Sequence, residues 1–130
     1  MDKIARFLEN DRFARMAGIE LLEVSPGRAR AKMVVQDRHL NGVGIAHGGA
    51  IFTLADFAFA AASNAHGTVA VAISVSISFV KAVTGGVLTA EAHETSRNPK
   101  LATYDVAVRD EAGDLVASFH GMVYRKKDSI

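Results

Sequence analysis

The sequence predicts an α+β fold in which an antiparallel sheet wraps around one long buried helix. Between Ala50 and Ala62 the side chains are almost all Ala, Ile, Leu or Phe, which indicates a helix buried on most of its circumference. Four segments of strand character follow Gly67, separated by short turns. Strands at this spacing favour an antiparallel meander over parallel βαβ units. The central helix is predicted over residues 48–64.

Two short helices and a hairpin are expected ahead of the central helix. Residues 2–9 place their apolar side chains on one helical face, and a second short helix, RFARMA, is expected to end at Gly18. Two apolar segments then flank Ser25-Pro26-Gly27. Proline presets one turn angle and glycine accepts a positive φ, so this stretch predicts a hairpin. Residues 36–47 are expected to form a loop.

The segment after Gly67 has the alternation of a strand. One face comprises Val71, Ile73, Val75, Ile77 and Phe79, and the other comprises Ala72, Ser74, Ser76 and Ser78. This pattern predicts a strand that is covered on its apolar face. Turns at 85–86, 97–100 and 111–114 separate three further strands, the last of which finishes the sheet.

Composition narrows the possible functions. A chain of 130 residues suits one domain, spanning 1–130. The 15 basic residues are balanced by 14 acidic ones, so nothing favours a nucleic-acid partner. Without cysteine there is no disulfide, thiol nucleophile or Cys-ligated metal. The N-terminus lacks the apolar core of a signal peptide and no apolar run reaches membrane-spanning length, so a soluble cytoplasmic protein with no membrane partner is expected.

Asp56 is the one charge inside the apolar helix. An ionised carboxylate in an apolar site is costly unless something pairs with it or uses it. A narrow, more polar stripe follows helical i, i+3/i+4 spacing and comprises Thr53, Asp56, Ala60, Ser63 and Asn64. We interpret this stripe as the face of a reaction site. A structural carboxylate bonded to nearby backbone or hydroxyl groups is the open alternative.

Gly48 and Gly49 stand where the helix begins. Their N–H groups are unpaired donors at the positive end of the helix dipole and could stabilise an oxyanion, although two glycines could also merely shape the turn. Asp56 lies eight residues beyond Gly48, which is about 12 Å along a helix axis. The two groups of one chain therefore cannot act on the same carbonyl. If both serve one reaction, the protein is a dimer with sites at the interface.

The other polar residues near the helix start have two interpretations each. His47 could position a substrate or bond the loop backbone, and Asn41 could orient water or cap a turn. The five histidines lack metal-ligand spacing, so no metal site is expected. Ser74, Ser76 and Ser78 have no neighbouring base in the sequence and favour a polar or subunit-contact face.

Two basic stretches are candidates for an anionic ligand. The turn 97–100 carries Arg97 and Lys100, and arginine and lysine are the usual partners of phosphate. The second stretch, residues 125–127, is expected to be a solvated tail.

The central stretch resembles a known family. Asn41, His47-Gly48-Gly49 and Leu54-Ala55-Asp56 resemble the pattern of the hotdog-fold acyl-CoA thioesterases. The longer string HGGAIFTLADFAFAAASNAHG is similar to the PaaI group, thioesterases associated with phenylacetate degradation. DRFARMAGIEL at the front and ISVSISFVKAV after the helix add to this resemblance, which covers the chain from about Asp11 to Tyr124.

The resemblance implies a fold, an assembly and a mechanism. Hotdog proteins wrap a sheet around one helix, pair into dimers with a continuous sheet and often form tetramers as dimers of dimers. Asp56 would be the catalytic carboxylate, acting as nucleophile or as general base on water. The Gly48 N–H would polarise the thioester carbonyl from the opposing subunit, with Gly49 beside it at the substrate. Asn41 and His47 would position substrate or water.

The resemblance also implies a substrate class. The substrate would be an acyl-CoA, phenylacetyl-CoA or a ring-hydroxylated form, with no cofactor beyond the CoA of the substrate itself. Some relatives carry a hydroxyl on the strand after the helix that holds the water. The alternation places Ala72 there and Ser74 one step inward on the same face, so Ser74 is the candidate. Arg97 and Lys100 are the candidates for the CoA phosphates.

Two alternatives to hydrolysis stay open. A hotdog dehydratase would act on the same thioesters but pairs a histidine with a carboxylate in different motifs. A non-catalytic acyl-CoA-binding regulator would use the pocket alone. Asp56→Asn separates binding from hydrolysis, because it removes the base and keeps the shape of the pocket.

Overall fold

The computed structural model describes residues 2–130 and contains three helices and six strands in those residues. In chain order these are α1 (Asp2–Glu9), α2 (Arg12–Met16), β1 (Ile19–Ser25), β2 (Arg28–Val34), α3 (Gly48–Asn64), β3 (Thr68–Phe79), β4 (Val87–Arg97), β5 (Leu101–Arg109) and β6 (Leu115–Ser129), with a 3-10 turn at Asp37–His39 in the loop before α3. None of the helices in this part of the chain is long and apolar enough to cross a membrane.

The sheet is antiparallel throughout and lies around α3, which confirms the predicted fold class. Its strand order is β1-β2-β4-β5-β6-β3. The predicted hairpin is formed by β1 and β2, with Gly27 at a φ of 81° in its turn. The helix bounds 48–64 are also confirmed. Most α3 side chains are buried, and its many alanines let the sheet approach the helix axis closely.

The prediction of a simple meander is wrong for β3. Strands β4, β5 and β6 do follow one another, but β3 pairs with β6 at the far edge, and β4 pairs with β2. Residues 80–86 therefore carry the chain from one edge of the sheet to the side of the hairpin. Turn residues report where strands end but not which strands become neighbours, and here the hairpin needs β4 to join the sheet.

The prediction that the apolar face of β3 is covered is also wrong within one chain. Val71, Ile73, Val75 and Phe79 are each at least 39% exposed, and Ile77 alone of the alternating set packs against the core. The strand lies at the sheet edge, so only β6 accompanies it. An exposed apolar edge strand is a surface that proteins normally cover.

A bulge in β3 breaks the predicted alternation. The register with β6 shifts between Ala72 and Ser74, so that Ala72 lies opposite the buried Val123 and Ser74 lies opposite Met122. Because facing residues of an antiparallel pair point to the same side, Ala72 lies on the α3 side and Ser74 on the outer side. Their predicted placement on one face is wrong.

The basic residues 125–127 are not a tail. They belong to β6, which continues to Ser129 and pairs with the start of β3. The end of β6 therefore lies beside the 97–101 turn.

Candidate active site

The Asp56 carboxylate is half-buried on α3 between fully buried neighbours. Burial raises its pKa above 3.8, and the negative charge of Asp11 raises it further. Neither a hydrogen bond nor a cation from residues 2–130 offsets these two effects. A structural carboxylate would have such partners, so the geometry within this part of the chain favours the reactive interpretation of Asp56 over the structural one.

The start of α3 is capped by His47. Its Nδ1 accepts a hydrogen bond from the Gly49 N–H at 2.7 Å. The prediction of two open N–H donors is therefore wrong for Gly49. Among residues 2–130 the Gly48 N–H has no acceptor, so it stays available at the positive end of the helix dipole. A neutral imidazole that accepts at Nδ1 carries its proton on Nε2, which leaves one ring donor for other use.

Asn41 holds the loop that leads to the helix. Its Oδ1 accepts hydrogen bonds from the N–H groups of Val43 at 3.0 Å and Ile45 at 3.3 Å. The turn-capping interpretation of Asn41 thus describes its oxygen. The Nδ2 group makes no hydrogen bond to residues 2–130 and keeps both of its donors.

Two cavities lie on either side of the α3 start. The first, which we name the Gly48 cavity, has a volume of about 390 Å³ and is lined by Asn41 and Gly48 together with Phe79 and Val80. The second, the apolar cavity, has a volume of about 460 Å³. Its lining comprises Phe13, Met16, Ala17, Arg38, His39, Leu40, His47, Gly49, Ala50 and Thr53.

The apolar cavity reaches the helical face of α3 that carries Asp56. Thr53 lines it, and Asp56 follows Thr53 by three residues, so the two side chains are neighbours on one helical face. The Thr53 hydroxyl donates to the Gly49 carbonyl at 2.7 Å. Asp56 and Gly48 of one chain are not brought together, because two turns of α3 separate them.

A basic cleft lies where the 97–101 turn meets the end of β6. It has a volume of about 640 Å³, and its lining comprises Thr68, Arg97, Asn98, Pro99, Arg125, Lys126 and Lys127. Arg125 docks the turn onto β6, since its guanidinium donates to the Asn98 carbonyl at 2.8 Å. The Asn98 side chain accepts the N–H of Lys100 at 2.9 Å, which fixes the turn. The two basic stretches of the sequence therefore form one surface.

Ser74 is not brought to the other candidate residues. It lies exposed on the outer face of the sheet opposite Met122, whereas α3 with Asp56 covers the inner face. The alternative interpretation of the serines, a polar or subunit-contact face, agrees with this position.

Comparison with known proteins decides the family. Residues 43–117, more than half of the chain, match the model of the family described as "Thioesterase superfamily". The chain belongs to this superfamily. Its hotdog fold and its assignment to the thioesterases are thereby confirmed.

Similar proteins agree with this membership. A protein of Archaeoglobus fulgidus named "Putative esterase" is 46% identical over 90% of this chain and 77% of its own length. The acyl-coenzyme A thioesterase PaaI of Escherichia coli is 36% identical over 90% of this chain and 84% of its own length. The structure of the E. coli PaaI protein has a TM-score of 0.93, covering 97% of this chain and 92% of the other.

A third similar protein contains a ligand. The structure of a Streptococcus mutans UA159 protein bound to acetyl CoA has a TM-score of 0.82 and 26% identity. It covers 86% of this chain and 91% of the other chain.

Sequence reasoning missed several residues of this superfamily member. Phe13 and Met16 are exposed on α2 and line the apolar cavity. Their i, i+3 spacing, which places two large apolar side chains next to each other on a short helix, was the available signal. Lys126 and Lys127 were missed as cleft residues because β6 extends further than the apolar pattern indicates.

Proposed function

We propose that this thioesterase-superfamily chain hydrolyses acyl-CoA thioesters, with the carboxylate of Asp56 as the catalytic group. The observation that carries the proposal is the half-buried Asp56 carboxylate, which has no hydrogen-bond partner or cation within residues 2–130. A buried carboxylate with a raised pKa is a stronger base than an exposed one. It either attacks the thioester carbonyl itself or removes a proton from the attacking water.

The reaction is an acyl transfer to water. On the general-base route, water adds to the carbonyl carbon as Asp56 takes up its proton, and the C–S bond of the tetrahedral intermediate then breaks. On the nucleophile route, the carboxylate adds first, the C–S bond breaks to leave a mixed anhydride with Asp56, and water then hydrolyses this anhydride and restores the carboxylate. The acyl group leaves as a carboxylic acid, and the departing CoA sulfur takes up a proton. The Gly48 N–H at the start of α3 would bind the negative oxygen of the intermediate. The free Nδ2 of Asn41 in the Gly48 cavity and the Nε2–H of His47 would position water or substrate.

We propose that each site is assembled from two chains. Asp56 of one chain would meet Gly48 of the partner subunit, because about 12 Å of helix separates the two groups within one chain. The exposed apolar side chains of β3 and its unpaired edge support a partner strand at this edge. Such pairing gives a homodimer with a continuous sheet, and two dimers would form a tetramer.

The proposed substrate is an aryl-acetyl ester of CoA. The basic cleft with Arg97 and the neighbouring Lys100 offers cations to the CoA phosphates. The apolar cavity next to Thr53 offers an aromatic environment with Phe13 for the acyl group. Phenylacetyl-CoA or a ring-hydroxylated phenylacetyl-CoA fits this environment, and PaaI, the name of one similar thioesterase, adds support.

The test is thiol release from a panel of acyl-CoAs. Phenylacetyl, hydroxyphenylacetyl, benzoyl, short aliphatic and long aliphatic esters are compared in parallel for the native protein and Asp56→Asn. We expect release to favour aryl-acetyl esters and to fall roughly 100-fold or more in the variant, the usual contribution of a positioned acid or base. Tight binding of CoA esters without release from any of them would instead indicate a regulator and overturn the proposal. Full activity in Asp56→Asn would remove Asp56 from the mechanism.

A further inference from the structure

Four side chains form a connected network beside the basic cleft. The Tyr104 hydroxyl donates to Glu94 Oε1 at 2.7 Å, and His66 Nε2 contacts the same oxygen at 2.8 Å. Arg97 closes the network from the outside, since its Nη1 group donates to His66 Nδ1 at 3.1 Å. The Arg97 Nε also lies 3.6 Å from Glu94 Oε2.

The network runs from the core to the surface. Tyr104 is fully buried, with its ring 5.6 Å from that of Phe59. The side-chain exposure then rises along the network, from 11% for His66 and 21% for Glu94 to 44% for Arg97. Arg97 is the only one of the four that lines the basic cleft. The other three lie behind it.

The partners of each inner member fix its role as hydrogen-bond donor or acceptor. Burial alone would raise the pKa of Glu94, but the hydrogen bonds from Tyr104 and His66 and the charge of Arg97 hold it below 4.5. Burial and the hydrogen bond to Glu94 raise the pKa of Tyr104, so its hydroxyl remains a donor. Since a guanidinium can only donate, the His66 Nδ1 accepts from Arg97, and its Nε2 donates to the Glu94 carboxylate.

We propose that His66 and Glu94 are positioning residues that hold the Arg97 guanidinium at the mouth of the basic cleft, ready for a phosphate of the CoA substrate. The inference rests on the proposed function. A carboxylate beside an anion site is unfavourable unless it serves another group, and here it lies against Arg97 and is anchored by Tyr104. An arginine held in one geometry loses less side-chain entropy on binding than a free one. Within residues 2–130, no hydrogen bond or ion pair supports the side chains of the exposed Lys126 and Lys127 in a comparable way.

The first test separates binding of the nucleotide from chemistry. Hydrolysis by His66→Phe is measured with a CoA ester and with the N-acetylcysteamine thioester of the same acyl group, which has no phosphate. Because a hydrogen bond to a charged group contributes strongly to binding, we expect KM for the CoA ester to rise about tenfold. We expect kcat for both esters, and KM for the N-acetylcysteamine ester, to stay near the native values. His93→Gln, an exposed histidine of β4 outside the network, is the control and should change neither KM.

A double-mutant cycle with Arg97→Gln tests whether His66 acts through Arg97. If it does, His66→Phe has no further effect on KM in the Arg97→Gln background. Tyr104→Phe keeps the buried ring and removes only the anchor of Glu94, so it should raise KM for the CoA ester by a smaller factor. Equal changes of KM for both esters, or additive effects in the cycle, would show that the network serves stability alone and would overturn the inference.

Calorimetry with adenosine 3′,5′-bisphosphate distinguishes this inference from the proposed function. We expect the native protein to bind this nucleotide and His66→Phe to bind it about tenfold more weakly. This result with no turnover of any thioester would overturn the proposed hydrolysis and leave the role of the network intact. If the protein instead hydrolyses CoA esters but His66→Phe binds the bisphosphate as tightly as the native protein, the role of the network would be overturned and the proposed hydrolysis would stay intact.

Discussion

At the scale of single residues, the site combines groups that the fold uses with groups that it leaves free. His47 Nδ1 caps α3, and Asn41 Oδ1 holds the loop before it. The Gly48 N–H and the Asp56 carboxylate have no acceptor or donor within residues 2–130. Buried polar groups in proteins nearly always make hydrogen bonds. Polar groups without such partners are therefore available to bind or react with a substrate.

The raised pKa of Asp56 predicts linked effects on activity and stability. A base must be ionised, so kcat/KM should rise with pH through the pKa of Asp56, which lies above 3.8. The fold disfavours the ionised form, so the native protein loses stability as pH rises from the unfolded-state pKa through the folded-state pKa. Below both values the carboxyl is neutral in either state and no penalty remains.

Asp56→Asn should therefore be more stable than the native protein at neutral pH and equally stable at acidic pH. Thermal unfolding of both proteins across this pH range measures the difference in Tm. A difference that does not change with pH would contradict the burial of an ionised carboxylate at this position.

His47 allows its capping role to be separated from a role in catalysis. His47→Ala removes the acceptor for the Gly49 N–H and should cost about 1 kcal/mol in the free energy of unfolding. Asparagine is a good helix cap, so His47→Asn should unfold like the native protein. If His47→Asn nevertheless lowers kcat/KM, the imidazole acts on the substrate. An unchanged kcat/KM in His47→Asn would limit His47 to capping. Unfolding by denaturant measures the free energy of unfolding of both His47→Ala and His47→Asn.

At the scale of elements, α3 owes its position to close contacts at its C-terminal end and along its length. Asn64, at its last turn, is buried and accepts the Ala70 N–H at 2.9 Å, which ties the helix end to β3. Phe59 lies among aromatic neighbours, with its ring 5.4 Å from that of Phe119. On the sheet side, β6 presents Gly121 to this ring. The helix therefore has little freedom to shift Asp56 or Gly48.

The contact between Gly121 and Phe59 predicts an overpacking defect. A Cβ at Gly121 would lie 2.7 Å from Phe59 Cζ, and neighbouring rings prevent Phe59 from moving aside. Gly121→Ala should therefore lower the free energy of unfolding by about 1–3 kcal/mol, the usual cost of overpacking. Gly85→Ala is the control, because within residues 2–130 no atom outside its chain neighbours lies within 4 Å of the added Cβ. Equal denaturation midpoints for the two variants would show that the core accommodates the methyl group.

At the scale of the whole molecule, local features were predictable from the sequence and long-range pairings were not. The bounds of α3 follow from a continuous apolar run and from the glycines at its start. The position of β3 beside β6 depends on contacts between distant segments, which no turn residue specifies. The bulge before Ser74 has no residue signature, and a one-residue shift moves every later side chain to the other face.

The same distinction holds for the candidate site. The types and spacing of Asn41, Gly48 and Asp56 on one helix and its loop were visible in the sequence. The basic cleft was not, because it joins the 97–101 turn to the end of β6. The network behind Arg97 unites residues from two strands, β4 and β5, with the α3–β3 connection, so only the fold brings it together.

The proposed two-chain site predicts that two inactive variants restore each other's activity. Asp56→Asn lacks the carboxylate. Gly48→Pro lacks the N–H donor, and proline is accepted at the first position of a helix. The extended backbone of His47, with ψ at 135°, also suits a following proline. Gly48→Ala is the matched control, since its Cβ presses on the exposed Phe79 ring at 3.1 Å as the proline would, but it keeps the N–H.

Each variant alone should release little thiol, whereas Gly48→Ala should stay active. When the two variants are unfolded together, refolded and assayed, half of the dimers should be mixed, and each mixed dimer contains one intact site. In a two-fold symmetric dimer this restores about a quarter of the native activity. Sites contained within one chain could not be restored by mixing. A rate of thiol release that equals the sum of the two variants' own rates would therefore show that Asp56 and Gly48 do not meet across an interface.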